Sequence, residues 1–336
     1  MPPPAIAVIG CGAITQSLYV PALNSVRSRV GKIWFVDNNA TQAVSTSRSV
    51  QNSEPASNYQ TVLPFVSGAV IALPHHLHDR VSREFLSAGV HVLCEKPLTE
   101  DSTTARELVD LATSKNVTLS VNQTRRLMAS SQKVKQLIDQ RAIGELQSIE
   151  FNEGDEFNWP TASGFYFNPR ISTRGVLSDI GSHVLDLLCW WLGEKPMLLA
   201  SENDSFGGRE SVAALRLKSR ECTIDVRLSR LAGLSNKFLI QGTRGSIRGD
   251  IFDWRTVSMV AGGQERTLRL NSHAGTIAEA GHALLVNFVE CVLGTRTPLV
   301  PAIEVIPTLE LIDEAYGTAQ QFSMPWYAPR EIFHEA

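Results

Sequence analysis

Between residues 5 and 121 the chain repeats one pattern: a short apolar run, a polar or glycine-rich break, then a segment of helical length. The runs fall at residues 5–9, 32–36, 69–73, 90–94 and 117–121. Most of them lack apolar–polar alternation, as expected of strands buried on both faces. Strands that alternate with helices build a doubly wound parallel sheet with right-handed crossovers. Each break then lies at the carboxyl end of a strand, the edge at which open α/β sheets bind ligands. At 336 residues the chain exceeds a usual single domain. The pattern predicts a first domain over residues 1–124 and a second over 125–336.

The breaks carry the chemistry. The first reads Gly10-Cys11-Gly12-Ala13-Ile14-Thr15, a GxG turn that lets backbone approach a pyrophosphate and aims helix N–H groups at it. A plain turn and cap is the alternative, and Thr15 stands where a third glycine is usual. The second run ends in Asp37, about twenty residues beyond the turn, where a carboxylate can accept from adenosine ribose hydroxyls. Capping the next helix is its other possible duty. No basic residue follows Asp37 closely, so NAD(H) is expected over NADP(H). The third run ends in Leu73-Pro74, with His75, His76 and His78 beyond it. These histidines suggest either a metal or, without a completing set of ligands, a loop lining a cofactor crevice. The fourth run closes on Glu95-Lys96-Pro97, which puts a cation at the sheet edge, and the fifth leads to Gln123. The residues predicted to contact a dinucleotide are thus Gly10, Gly12, Ala13, Ile14, Asp37, Leu73, Pro74, His78, Glu95, Lys96 and Gln123.

A formal net charge of −3 gives no footing for nucleic acid or an acidic membrane surface. Five scattered cysteines without a CxxC pair argue against a disulfide framework and for a reducing compartment. The N-terminal MPPPAIAVIG has no basic n-region or long apolar core, and the longest apolar run, around residues 184–192, is too short to span a bilayer. A cytoplasmic protein with no resident metal is expected.

In the second half, residues 146–153, 211–217, 221–228 and 237–241 read as strands without long helices between them, and Gly242-Thr243-Arg244-Gly245 as a hairpin into 246–248. That predicts an antiparallel sheet, with helices near residues 280–292 and 307–320. Around Ser178-Asp179-Ile180-Gly181-Ser182-His183 the apolar residues Val184, Leu187, Leu188 and Trp191 fall at helical spacing. A helix starting at Ser178 or Asp179 would stack Asp179 on His183, four residues on. The pair is either a carboxylate beside an imidazole poised to take a proton or an N-cap and an ordinary helix histidine.

These segments together resemble the Gfo/Idh/MocA family, the glucose–fructose oxidoreductase, inositol dehydrogenase and rhizopine-catabolism group. The resemblance rests on AVIGCGAI followed by Tyr19-Val20-Pro21-Ala22-Leu23, and on VIALPHHLH, AGVHVLCEKPLTED, VNQTRRL and AIGELQSIEF. GVLSDIGSHVLDLLCWWLG and FLIQGTRGSIRGD extend it over nearly the whole chain. Thr15 departs from the family pattern, as does Arg174-Gly175 where glycine-glycine is commoner. The resemblance implies a Rossmann domain followed by a large, mostly antiparallel open sheet backed by helices, and homodimers or homotetramers through that sheet. It also implies a cis Lys96–Pro97 bond, and hydride transfer between NAD(P) and a secondary hydroxyl of a sugar, cyclitol or sugar derivative. Lys96, Asp179 and His183 would then be catalytic, with Arg125, Trp159, Tyr166, Arg170 and Arg174 as candidates for gripping the substrate. The other readings are a non-sugar carbonyl or double-bond reductase and an inactive cofactor-binding regulator.

Overall fold

β1 (Ile6–Ile9) is buried at all four positions, and its side chains divide between two cores. Ile6 and Val8 pack with Leu18, Leu23 and Phe288, whereas Ala7 and Ile9 pack with Phe85 and Leu108. A strand covered on both sides needs no polar face, which is why most of these runs do not alternate. The computed structural model describes residues 2–158, 164–168, 171–205, 208–271 and 274–323.

Five further strands join β1: β2 (Ile33–Val36), β3 (Ser53–Ala56), β4 (Gly68–Ile71), β5 (His91–Glu95) and β6 (Leu119–Asn122). All pairings are parallel, in the order β3-β2-β1-β4-β5-β6. The order reverses between β1 and β4, and the crevice at such a switch point is where ligands bind. Helices α1 (Val20–Ser25), α2 (Ala40–Ser47), α3 (His78–Ser87) and α4 (Ser102–Ser114) make the crossovers. Asp101 caps α4 by accepting from Thr104 N at 2.8 Å. Asn39, not Asp37, caps α2, which leaves Asp37 to another duty.

α5 (Ala129–Asp139) leads into a second sheet. Its strands are β7 (Leu146–Gly154), β8 (Met197–Asn203), β9 (Val212–Ser219), β10 (Cys222–Ser229), β11 (Lys237–Gly242), β12 (Gly245–Asp250), β13 (Thr256–Ala261), β14 (Gln264–Arg269) and the short β15 (Gln320–Gln321). Their order is β14-β13-β12-β11-β7-β10-β9-β8-β15. β11 and β12 form the expected hairpin, with Gly242 opposite Gly245. Two pairings are parallel, β7 with β10 and β8 with β15, so the sheet is mixed and mostly antiparallel.

Alternation is clear in β10, where Cys222, Ile224, Val226 and Leu228 are buried and Thr223, Asp225 and Arg227 are exposed. The buried face packs on α5, on α7 (Gly181–Leu192) and on α9 (Ile306–Thr318). Each fully buried Ile, Val or Leu in that layer contributes roughly 1.5–3 kcal/mol over an exposed one. The other face carries exposed Glu150, Arg216, Asp225 and Arg227 and is uncovered among the described residues.

Two features tie the sheets together. The Arg126 guanidinium, 4% exposed, donates twice to Asp186 on α7 at 2.8 Å and once to Glu304 at 2.5 Å, which fixes the end of β6 against the helix bearing His183. α8 (Ile277–Val292) then returns to the first sheet, where Ala280, Leu284, Leu285, Phe288 and Val289 complete the core under Ile6, Val8 and α1. No helix among the described residues is long and apolar enough to cross a membrane.

Candidate active site

The GxG turn is built for close approach. Gly10 has φ +98°, and a Cβ there would lie 2.2 Å from the Ala72 carbonyl oxygen, so only glycine fits. At Gly12 the same atom would meet nothing within 4 Å among the described residues, leaving room beside the backbone. Thr15 departs from the usual third glycine without loosening the turn. It is fully buried, and its hydroxyl donates to Gly10 O at 2.6 Å. Asp37 spans the crevice end of β2: Oδ2 accepts from Cys11 N at 2.9 Å and Oδ1 from Asn39 N at 2.8 Å. The carboxylate is thereby fixed beside the turn with lone pairs to spare. These residues fit a dinucleotide, with the pyrophosphate at Gly10–Ile14 and the adenosine ribose at Asp37.

Two of the predicted contacts have protein partners for their polar atoms. His78 is fully buried, its ring nitrogens 2.7 Å from Pro97 O and 2.8 Å from Leu73 O. It braces the loop that carries Leu73 and Pro74 rather than facing a ligand. Glu95 is also turned inward: its Oε1 accepts from Tyr19 and Asn122, both at 2.7 Å, and its Oε2 from Lys96 N at 3.3 Å. Burial pushes its carboxyl above the usual range. The Lys96–Pro97 peptide bond is cis, as the resemblance implies.

Lys96 leaves β5 at its carboxyl end and meets Asp179. Its Nζ donates to Asp179 Oδ1 at 2.9 Å and to the Asp179 carbonyl at 3.0 Å, both side chains 14% exposed. Asp179 lies on α6 (Val176–Asp179), which starts two residues before the expected position. The cause is remote in sequence. Glu210 accepts from Gly175 N at 3.1 Å and from Leu177 N at 2.9 Å, supplying the cap. Gly175 is required there, since a Cβ would sit 1.9 Å from Glu210 O. Asp179 therefore does not cap this helix, and its oxygens go to cations instead of to His183. Arg230, next after β10, donates from Nη2 to Asp179 Oδ2 at 2.6 Å. Burial alone would raise the Asp179 pKa, but Lys96 and Arg230 hold it well below the ordinary carboxylate range.

His183, in the first turn of α7, shares this cleft. Its Nδ1 is buried without a hydrogen-bond partner among the described residues. Burial, together with the Lys96 and Arg125 cations, drives its pKa well below 6.5, so the ring is neutral. His75 is pushed down to about 3, chiefly by burial and then by His78 and Lys96. Gln123 donates to Ser182 O at 3.3 Å, and its Oε1 is a second buried orphan. Unmet buried polar atoms are uncommon in folded proteins, and a ligand is the natural partner for two in one cleft. The Tyr166 ring lies edge-on to His75, with centroids 5.9 Å apart, and packs on Phe157. Burial and the Asp179 charge raise its phenol pKa.

The arginines behave otherwise than expected. Arg125 is clamped bidentately by Glu153 at 2.5 and 2.6 Å. Arg174 pairs with Asp313 at 2.9 Å, donates to the Glu100 carbonyl and lies over the Tyr316 ring. Both are held by protein partners, which spend part of each guanidinium's donors. Trp159 and Arg170 lie outside the described residues. Arg230 was not anticipated. The only sequence signal for it was its place just past a strand end, and the parallel register that sets Ser229 beside Gly154 joins residues far apart in the chain.

A GxG turn at the switch point, a lysine–aspartate pair at the sheet edge and a neutral histidine sharing its cleft are the parts an oxidoreductase site needs. The chain belongs to the Gfo/Idh/MocA family: residues 5–123 match the model of the oxidoreductase family with an NAD-binding Rossmann fold, and residues 131–248 its C-terminal domain. It is an NAD(P)-dependent oxidoreductase. An uncharacterised oxidoreductase of Schizosaccharomyces pombe is 28% identical over 271 residues, 75% of this chain and 72% of that one. In fold, the chain is similar to a 3-ketoreductase from Actinomadura kijaniata, solved with NADP and TDP-benzene, at a TM-score of 0.83 and 20% identity over 96% of this chain and 100% of that one. A levoglucosan dehydrogenase solved with NADH and levoglucosan superimposes at a TM-score of 0.82 and 18% identity, over 94% and 96%.

Proposed function

We propose that the protein transfers a hydride between NAD(H) and a secondary hydroxyl, or the matching ketone, of a sugar, cyclitol or sugar derivative, as a homodimer or homotetramer joined through the uncovered sheet face. The observation that carries this reading is the Lys96–Asp179 pair at the switch-point edge with neutral His183 beside it. The dinucleotide, when bound, supplies the hydride acceptor or donor. Gly10, Gly12, Ala13 and Ile14 would hold its pyrophosphate and Asp37 its ribose, while Leu73, Pro74 and Gln123 line the crevice. The Lys96 ammonium polarises the substrate oxygen and stabilises charge that develops there. His183 takes the hydroxyl proton in oxidation and returns it in reduction. Tyr166 offers an aromatic edge to a sugar ring. The levoglucosan and 3-keto substrates named for the structural neighbours agree with this class.

A panel of sugars, inositols and sugar nucleotides followed by NADH absorbance at alkaline pH tests the assignment. Turnover with at least one polyol is expected, with kcat/KM higher for NAD than for NADP because Asp37 carries negative charge where a 2′-phosphate would sit. Equal use of both cofactors, or a preference for NADP, overturns the cofactor assignment; silence across the panel overturns the substrate class. Gly12→Val tests the dinucleotide site by itself. The added side chain enters open space, so stability should stay within about 0.5 kcal/mol. Affinity for NADH should fall more than about tenfold, some 1.4 kcal/mol, as read by fluorescence titration.

A further inference from the structure

Asp179 is shared. Oδ1 faces Lys96 at 2.9 Å and Oδ2 faces Arg230 at 2.6 Å, so one negative charge stands between two cations. The guanidinium also lies over the Phe157 ring, 5.7 Å from its centroid. Its Nε is buried without a hydrogen-bond partner among the described residues. An arginine used merely to fasten a strand end would meet its buried donors within the protein. Here one N–H is left over on a side chain that half-faces the cleft.

We propose that Arg230 is a positioning residue of the hydride-transfer site: it takes half of the Asp179 carboxylate and so leaves the Lys96 ammonium only partly neutralised toward the substrate oxygen. The proposal rests on the function assigned above. A carboxylate bound to one cation alone cancels most of that cation's field, whereas one divided between two cancels roughly half of each. The surplus positive field also reaches His183. The charged and titratable groups around that ring are Lys96 from β5, Arg125 with its partner Glu153 on β7, Asp179 from α6, Arg230 beyond β10, and the neutral His75 and Tyr166. Lys96, Arg125 and Arg230 all disfavour a proton on the imidazole, and Asp179 favours it. Removing Arg230 therefore lets His183 protonate at higher pH, and the freed Asp179 oxygen adds to the same change. A neutral proton acceptor and an under-compensated ammonium are both needed for alcohol oxidation, and one side chain supports both.

The test is a ¹⁵N imidazole NMR titration of the full chain with NADH bound, His183 being assigned through His183→Asn. It needs no turnover, so it stands even if no sugar proves to be a substrate; failure of the panel and failure of this inference are thus separable. In Arg230→Gln the His183 ring should begin to protonate at least about one pH unit higher than in the wild type, the shift that a unit charge roughly 12 Å away produces at an effective dielectric near 20. With any substrate found, the acid limb of kcat should move up by the same interval, with the KM for NAD unchanged. Arg230→Lys keeps the charge and should leave the imidazole titration where it is in the wild type, which keeps the question decidable even if the glutamine variant folds poorly. An unmoved titration in Arg230→Gln, with only a lower Tm, would mean that Arg230 merely fastens β10 to α6 and overturns the proposal. A shift in Arg230→Lys as large as in Arg230→Gln overturns it too.

Discussion

Replacing Lys96 with alanine should lower kcat roughly 10²–10³-fold, the usual cost of removing one preorganised donor from a developing oxyanion. NADH affinity should be nearly unchanged, because the turn at Gly10–Ile14 and the Asp37 carboxylate do not depend on this side chain. The variant should also carry a second signature. Lys96 is the largest charge acting on His183, so its loss raises the histidine pKa and moves the acid limb of the residual activity to higher pH. A kcat within about threefold of wild type would remove Lys96 from the chemistry, since positioned donors are worth far more.

His183→Asn should cost roughly 10²–10⁴ in kcat, the range for a lost general base. The amide preserves size and polarity but cannot accept a proton at neutral pH. The wild-type pH profile checks the same assignment. Oxidation needs the unprotonated ring, and the folded-state pKa lies below the ordinary 6.5 because burial, Lys96 and Arg125 disfavour the imidazolium. The acid limb of kcat is therefore expected below pH 6.5, and should be absent from the residual activity of His183→Asn. A limb at or above 6.5 that persists in the asparagine variant would assign the proton to another group.

The first sheet was legible almost element by element, because parallel strands buried on both faces leave mostly apolar runs. β3 escaped: its SEPA sequence holds a proline and two exposed residues, which is tolerable only at a sheet edge. In the second sheet the Gly242–Gly245 hairpin could be read from local turn chemistry. The parallel pairing of β7 with β10 could not, since it joins segments separated by α6, α7 and two strands. The site divides the same way. Lys96, Asp179 and His183 stood out through local motifs. What binds them did not: spacing suggested that Asp179 serves His183, yet two cations from distant strand ends hold it. Arg125 and Arg174 looked available because Glu153 and Asp313 are far away in the chain. Glu210 set the start of α6 from outside any local cap signal.

The return of α8 to the first sheet orders events during synthesis. β1 to β6 leave the ribosome early, carrying Ile6, Val8 and Leu23, whose shared core is completed only when Leu284 and Phe288 arrive. Everything that builds the second sheet, except the short β15, is made in the interval. The first sheet thus keeps one flank of its core incomplete until the segment that follows the second sheet has been made.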